Sequence, residues 1–429
     1  MARPRGVTLT YRLYAAVANV LAPLAYRKVA RKLFEAGVAQ QRLRERIGHA
    51  TLPRPEGFLV WCHAASVGES LSALTLIRRL GEARPDLQFL LTSGTATSAE
   101  IVSKRLPPRC RHQFAPLDGR RILNRFLGHW RPDMAIFVES ELWPQMLVRT
   151  RATGIPLALL NARLSQGSLR SWGRIPQTAR FILSRFSLIR TQDAETLQGL
   201  LGLGADPHTT TQGPNLKAAA APLPVDDDVL SGLRRAIGSR PVWVAASTHP
   251  GEEDIVLQAH EQLLKAHPDL LLILVPRHPE RVGEIEALIR ARGLSQTRRS
   301  TGGTAQAEIY LADTLGELGL WYALAPVVFV GGSLVPVGGH NPFEPAQAGA
   351  VVLHGPLYAN FAESYAAFAQ IGGQAEVKDA TALANAVGGL LDDPARLSEA
   401  GQQAKTFAET QMQGLDATVQ DLSALVQPV

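Results

Sequence analysis

The chain has 429 residues, 46% of them apolar and 19% charged, which excludes a disordered polymer and calls for two domains of roughly 200 residues each. Its two cysteines, Cys62 and Cys110, exclude a disulfide framework and a cysteine-based zinc site. The net charge of +6 is uneven: residues 1–50 hold ten Lys/Arg against Glu35 and Glu45, so the remaining chain is close to neutral. A basic end on a neutral body points to an anionic surface touched at one place.

The first element expected lies in that basic end. Leu13 to Tyr26 is uncharged and mostly apolar, flanked by Arg12 on one side and by Arg27, Lys28, Arg31 and Lys32 on the other. The run is shorter than the roughly 20 residues that span a bilayer, and Pro23 interrupts it. No small-residue cleavage site follows it, as a secretory signal would require. The pattern fits an interfacial membrane anchor over residues 1–35, with basic flanks on anionic lipid. The alternative is a buried N-terminal helix with a basic exposed face. A nucleic-acid-binding arm is disfavoured, because the run between the charges is greasy rather than polar.

Apolar runs then alternate with helical patterns. Strands are expected at 58–62, 89–92, 134–138, 156–160 and 187–190, with helices near 70–82, 96–105, 141–152 and 193–202. After a Pro/Ala-rich stretch the pattern restarts, with strands at 242–246, 270–275, 308–311, 327–330 and 351–353. Helices are expected near 251–266, 280–291, 315–324 and 342–348, and the tail from about 379 is helical. Such alternation predicts two doubly wound α/β domains, 36–217 and 226–429, joined by a linker over 218–225. Ligands of these sheets bind at the carboxyl ends of the strands, so a cleft facing both sheets is expected.

The residues that bear chemistry cluster after those strands. In Cys62-His63-Ala64-Ala65-Ser66-Val67-Gly68-Glu69-Ser70, Ser66 and Glu69 have capping-box spacing, and Glu69 can equally serve as general base toward a hydroxyl. Val138-Glu139-Ser140-Glu141-Leu142-Trp143-Pro144 sets two carboxylates where they suit a helix dipole or a developing positive charge. Asn161-Ala162-Arg163-Leu164-Ser165 offers a guanidinium for an acidic sugar or phosphate, or for a surface salt bridge. Gly213-Pro214-Asn215-Leu216-Lys217 ends the first half on a lysine. In the second half, Ser247-Thr248-His249-Pro250-Gly251-Glu252 opens a helix whose N–H groups favour an anion, and Arg277 is placed for a phosphate in a loop stiffened by Pro276 and Pro279. The densest block is Gly331-Gly332-Ser333 followed by Gly338-Gly339-His340-Asn341-Pro342-Phe343-Glu344-Pro345. Its glycines let backbone approach a ligand, and Glu344 can bond ribose hydroxyls. A P-loop and a GxGxxG fingerprint are absent, and His63, His249, His278 and His340 lack metal-ligand spacing.

The blocks HAASVGE, VESELWP, LNARLS, GPNLK, STHPGEE, VPRHPER and GGSLVPVGGHNPFEPA, in this order, resemble those of the bacterial Kdo (3-deoxy-D-manno-octulosonic acid) transferase family. One departure is Pro214, which lengthens the expected GNLK. The resemblance implies a metal-independent inverting glycosyltransferase of the GT-B fold, two Rossmann-like domains with an N-terminal membrane-anchoring helix, on the cytoplasmic face of the inner membrane. It implies CMP-Kdo as donor, the tetraacyldisaccharide lipid A precursor (lipid IVA) as acceptor, an anionic lipid surface as partner, and no cofactor or nucleic acid. It further implies Glu69 as base, Glu139 and Lys217 as transition-state stabilisers, and CMP contacts at Pro276, Arg277, Leu315, Gly316, Glu317, Asn341, Pro342, Phe343 and Glu344. A GT-B enzyme with another nucleotide sugar, or a catalytically silent nucleotide-sugar binder, is the alternative.

Overall fold

The computed structural model describes residues 6–216 and 223–426. The chain divides into two compact units, Met1–Ala219 with Gln413–Val429, and Ala220–Met412.

The first unit is built on a seven-stranded parallel sheet. Its strands are β1 (Phe58–His63), β2 (Leu87–Ser93), β3 (Cys110–Phe114), β4 (Met134–Val138), β5 (Leu157–Ala162), β6 (Leu188–Thr191) and β7 (Thr210–Gln212), in the order β3-β2-β1-β4-β5-β6-β7. Alternate side chains of one strand serve opposite faces. On β1, Val60 and Cys62 join a core with Leu76, Ile77 and Leu80, while Leu59 and Trp61 join another with Phe126 and Trp130. Burial on both faces explains why the central strands are almost wholly apolar.

The second unit repeats the plan with β8 (Val242–Thr248), β9 (Leu271–Pro276), β10 (Gln296–Arg298), β11 (Ile309–Leu311), β12 (Val327–Val330), β13 (Val351–His354) and β14 (Gln374–Glu376). Their order is β10-β11-β9-β8-β12-β13-β14, again parallel. Four strands, β3, β7, β10 and β14, were not expected from the sequence, and they are the four sheet edges. One face or rim of an edge strand meets solvent, so its residues need not be apolar: Gln296–Arg298 is only partly buried throughout.

The expectation that the second half runs through residue 429 is corrected. The last helix, Pro394–Leu425, brings Leu415, Val419 and Leu422, with Val426, into the core around β1 of the first unit. An apolar stripe at helical spacing shows that these residues seek burial, but not which core receives them.

The N-terminal run forms the helix Leu9–Glu35. Thr8 caps it and also bonds Thr178 through the two hydroxyls at 2.7 Å. The Tyr11 ring packs 5.3 Å from Phe181, and the Tyr14 hydroxyl donates to Asp118 at 2.8 Å. Only Tyr11 and Leu33 are buried in the helix, whereas Leu9, Leu13, Val17, Val20, Leu21 and Leu24 are exposed. That outcome removes the alternative of a buried N-terminal helix. Among the described residues no helix is long and apolar enough to cross a membrane.

Candidate active site

In the first unit the carboxyl ends of β1, β4 and β5 bring three carboxylates together. Ser66 and Glu69 form the capping box of helix Val67–Ala83: Glu69 N–H donates to Ser66 Oγ at 3.2 Å, and Glu69 Oε2 accepts from Ala65 N–H at 2.5 Å and Ser66 N–H at 3.3 Å. The cap fixes the carboxylate without neutralising it. Both bonds use Oε2, so Oε1 keeps its lone pairs for a hydroxyl proton. Burial, then the negative charge of Glu141, with a smaller contribution from Glu139, pushes the Glu69 carboxyl above the usual range despite the two backbone bonds. A carboxylate raised in this way is a stronger base.

Glu139 and Glu141 sit in the turn after β4. The expected helix over 141–152 starts later, with Pro144 in its first turn, so neither carboxylate lies in a helix N-terminal turn. Glu139 is left-handed (φ 62°), as is Asn161 at the end of β5 (φ 52°). For a glutamate that backbone costs about 1–3 kcal/mol, and such residues gather at functional sites. Asn161 ties the turns together: its Nδ2 donates to Glu139 Oε1 at 3.4 Å and its Oδ1 accepts from Leu216 N–H at 3.2 Å. Lys217, the next residue, lies outside the described residues. Arg163 is exposed at the end of the same strand.

The partner of Glu141 was not expected. His63 Nε2 donates to Glu141 Oε2 at 3.0 Å, and both groups are buried. On its other side His63 Nδ1 meets Thr92 Oγ1 at 3.0 Å, and Thr92 also accepts from Trp61 Nε1. The Trp143 indole N–H donates to Glu141 as well. Burial pushes Glu141 up, but the bonds from His63 and Trp143 outweigh it and hold the carboxyl below its ordinary value. Glu141 is thus the carboxylate held ionised beside a Glu69 whose affinity for protons is raised. The only sequence signal was its place two residues after Glu139; that His63 would reach it was not visible.

In the second unit the Gly331-Gly332-Ser333 turn is organised by Glu252, which is fully buried. Its Oε2 accepts from the N–H groups of His249 (3.0 Å) and Gly332 (2.7 Å), and its Oε1 from those of Ser333 (3.0 Å) and Leu334 (2.9 Å). At the turn before helix Glu252–Leu264, where an anion was expected, the His249 N–H is taken by the chain's own Glu252 carboxylate. Gly331 is required by space: a Cβ there would lie 2.6 Å from Ser247 O and 2.8 Å from Thr248 Cα. His249 stacks on His340, with Nε2 atoms 2.9 Å apart, and His278 packs edge-on to His249. Among the described residues no His, Cys, Asp or Glu group has the arrangement to hold a metal.

The residues expected to touch the nucleotide fall at the carboxyl ends of this sheet. Pro276 ends β9, and exposed Arg277 donates its backbone N–H to Thr248 O at 3.0 Å. Leu315 is 78% exposed and Gly316 is left-handed (φ 86°), forming a loop tip before helix Leu318–Leu324. Glu317 instead pairs with Arg299, at 2.6 and 3.1 Å, and with Thr314, so its carboxylate braces the loop. Asn341 Oδ1 accepts from Phe343 N–H at 3.1 Å and its Nδ2 donates to Glu344 Oε1 at 3.3 Å, while Pro342 caps the short helix Phe343–Gln347. Phe343 is buried against Phe368 and Phe407. Burial raises the Glu344 carboxyl above its ordinary value against the pull of Asn341.

Comparison with known proteins agrees with this build. The family described as "3-Deoxy-D-manno-octulosonic-acid transferase (kdotransferase)" matches residues 41–220. Curated relatives include a 3-deoxy-D-manno-octulosonic acid transferase of Rickettsia bellii, 34% identical over 95% of this chain and 98% of its own. Another is that of Haemophilus influenzae, 37% identical over 85% and 87%. A probable mitochondrial enzyme of the same name from Arabidopsis thaliana is 35% identical over 93% and 92%. Among solved structures, a glycosyltransferase from Rickettsia africae superposes over 87% of this chain and all of its own, with TM-score 0.52 and 11% identity. The C-terminal CMP-Kdo binding domain of WaaA from Acinetobacter baumannii is 36% identical, covering 42% of this chain and 96% of that domain, with TM-score 0.41.

Two parallel-sheet α/β units with their polar residues at the strand ends give this chain a fold that resembles the GT-B type. By identity over nearly its whole length, the chain belongs to the 3-deoxy-D-manno-octulosonic acid (Kdo) transferase family.

Proposed function

We propose that this transferase moves Kdo from CMP-Kdo to the tetraacyldisaccharide lipid A precursor, lipid IVA, with inversion and without metal or other cofactor, at the cytoplasmic face of the bacterial inner membrane. The acceptor reading rests on one observation above all. The helix Leu9–Glu35 leaves Leu13, Val17, Val20, Leu21 and Leu24 exposed and ends among Arg27, Lys28, Arg31 and Lys32. An apolar stripe with a cationic end fits a leaflet of anionic lipid, where an acylated acceptor resides.

Glu69 takes the proton from the primary hydroxyl at C6′ of the distal glucosamine, and that oxygen attacks C2 of Kdo opposite the departing CMP. Bond breaking leads, so positive charge develops on the sugar and negative charge on the phosphate. Glu139 and ionised Glu141 favour the first, and Arg277 and Lys217 the second. Glu344, with Asn341 beside it, suits ribose hydroxyls.

Mass spectrometry of the lipid after incubation of the purified chain with CMP-Kdo and lipid IVA tests the reaction. A gain of one or more Kdo units is expected; an unchanged lipid with intact CMP-Kdo would overturn donor and acceptor together. Vesicle co-sedimentation tests the surface: the L13Q/V17Q/L24Q variant should leave anionic vesicles that the parent binds. Truncation of residues 1–26 is a poorer test, because Tyr11 is part of the unit's core.

A further inference from the structure

The first unit carries an open cavity of about 460 Å³ at the start of the N-terminal helix. Tyr11, Tyr14, Leu142, Trp143, Trp172 and Ile175 line it, and Glu141 reaches the wall beside Trp143. Its size falls in the roughly 300–1,000 Å³ range of small-ligand sites, and its wall is mainly aromatic and aliphatic. We propose that this cavity seats one hydrocarbon chain of the acylated acceptor and so sets the acceptor's position at the carboxylates. The inference rests on the acylated acceptor proposed above.

Three observations favour this occupant. First, the cavity continues an exposed apolar row: Thr10 and Tyr14 of its wall share a helix face with Val17, Leu21 and Leu24, at i, i+4, i+7, i+11 and i+14. None of these five residues is charged, so the row offers a chain leaving the hydrocarbon of a leaflet an uncharged track toward the cavity. Second, the far end of the same helix holds Arg27, Lys28, Arg31 and Lys32, which complements an anionic amphiphile. A second copy of this chain would bring the same positive charge to the face and be repelled. Third, the wall reaches the reacting groups: Trp143 and His63 both donate to Glu141, whose charge is felt by Glu69.

Tryptophan fluorescence reports the cavity selectively. Of the six tryptophans, Trp61, Trp130, Trp243 and Trp321 are fully buried, whereas Trp143 and Trp172 line the cavity. An ω-bromo fatty acid should quench the full chain's fluorescence, and Ile175→Asp should raise the half-quenching concentration at least tenfold. Ile175 is the N-cap of helix Pro176–Leu183, a position where Asp is favourable, so the variant keeps its fold. In transfer assays I175D should raise KM for the tetraacylated disaccharide about tenfold, as expected for withdrawing about two methylenes from an apolar seat, with kcat within twofold and KM for the deacylated disaccharide unchanged. Equal losses on both acceptors, or losses on neither, would overturn the inference. So would the absence of quenching, or a dimer mass by sedimentation that I175D abolishes, which would make a second copy the occupant. Quenching lost in I175D, with no transfer by the parent to either acceptor, would uphold the cavity as a hydrocarbon seat and sink the proposed reaction instead.

Discussion

Replacing Glu252 by glutamine removes one charge and leaves the side chain its shape. The native carboxylate accepts four backbone N–H groups, two on each oxygen. Whichever way the amide faces, its NH2 meets two of those donors, and they lose their acceptor. A hydrogen bond to a charged group contributes about 1.5–3 kcal/mol, so two lost bonds cost about 3–6 kcal/mol. The neutral amide recovers part of the cost of burying a charge, which leaves a net loss of about 3 kcal/mol. Urea unfolding should show the second unit melting at a lower midpoint with an unchanged slope, and hydrogen exchange should show Gly332, Ser333 and Leu334 losing protection. CMP should bind more weakly, because the Gly331-Gly332-Ser333 turn has lost the group that shapes it. A loss below about 1 kcal/mol with the three amides still protected would refute the reasoning, since the turn would then hold itself.

Glu69→Gln keeps the capping oxygen but removes the proposed base, so turnover should fall by about 10²–10⁴ while CMP affinity measured by calorimetry stays put. Glu141→Gln removes a charge that raises the Glu69 carboxyl, so the acidic limb of kcat/KM should move to lower pH; an unmoved limb would disconnect the two groups. Gly331→Ala places a Cβ against Ser247 O and Thr248 Cα, and the expected result is a loss of CMP affinity of at least about tenfold in a soluble, less stable protein. Burial, and then the neighbouring His249, pulls His340 down to about 4 from its ordinary 6.5, so the native state prefers it neutral. Its stabilising contribution is therefore complete above pH 6.5 and is lost as the pH falls toward 4. Stability of the second unit against pH should flatten over that window in His340→Gln, and a profile parallel to the parent's would exclude His340 as its source.

The interior strands were legible because they are buried on both faces, and a run such as Met134–Val138 or Leu271–Val275 has no polar face to hide. The edges were not: Thr210–Gln212 and Gln374–Glu376 carry no apolar run, and a partner strand on one side alone makes them strands. The motif positions followed from the same logic, since the chemical clusters other than Gly213–Lys217 come after apolar runs, and that is where a parallel sheet places its ligands.

By itself, then, the sequence determined the two α/β halves, the strand ends that carry Glu69, Glu139, Arg277 and Glu344, and the amphiphilic start of the chain. Those properties are local: periodicity, glycine density and charge are counted along the chain. Tertiary structure alone decided that His63 holds Glu141 across a sequence separation of 78, that His249 stacks on His340 across a separation of 91, and that the last helix returns Leu415, Val419 and Leu422 to the first core. It also decided that Glu252 meets its own glycine turn rather than leaving those N–H groups to a ligand. These pairings depend on which strand ends become neighbours once the sheets are wound, and a hydrogen bond of about 3 Å carries no trace in a spacing of tens of residues.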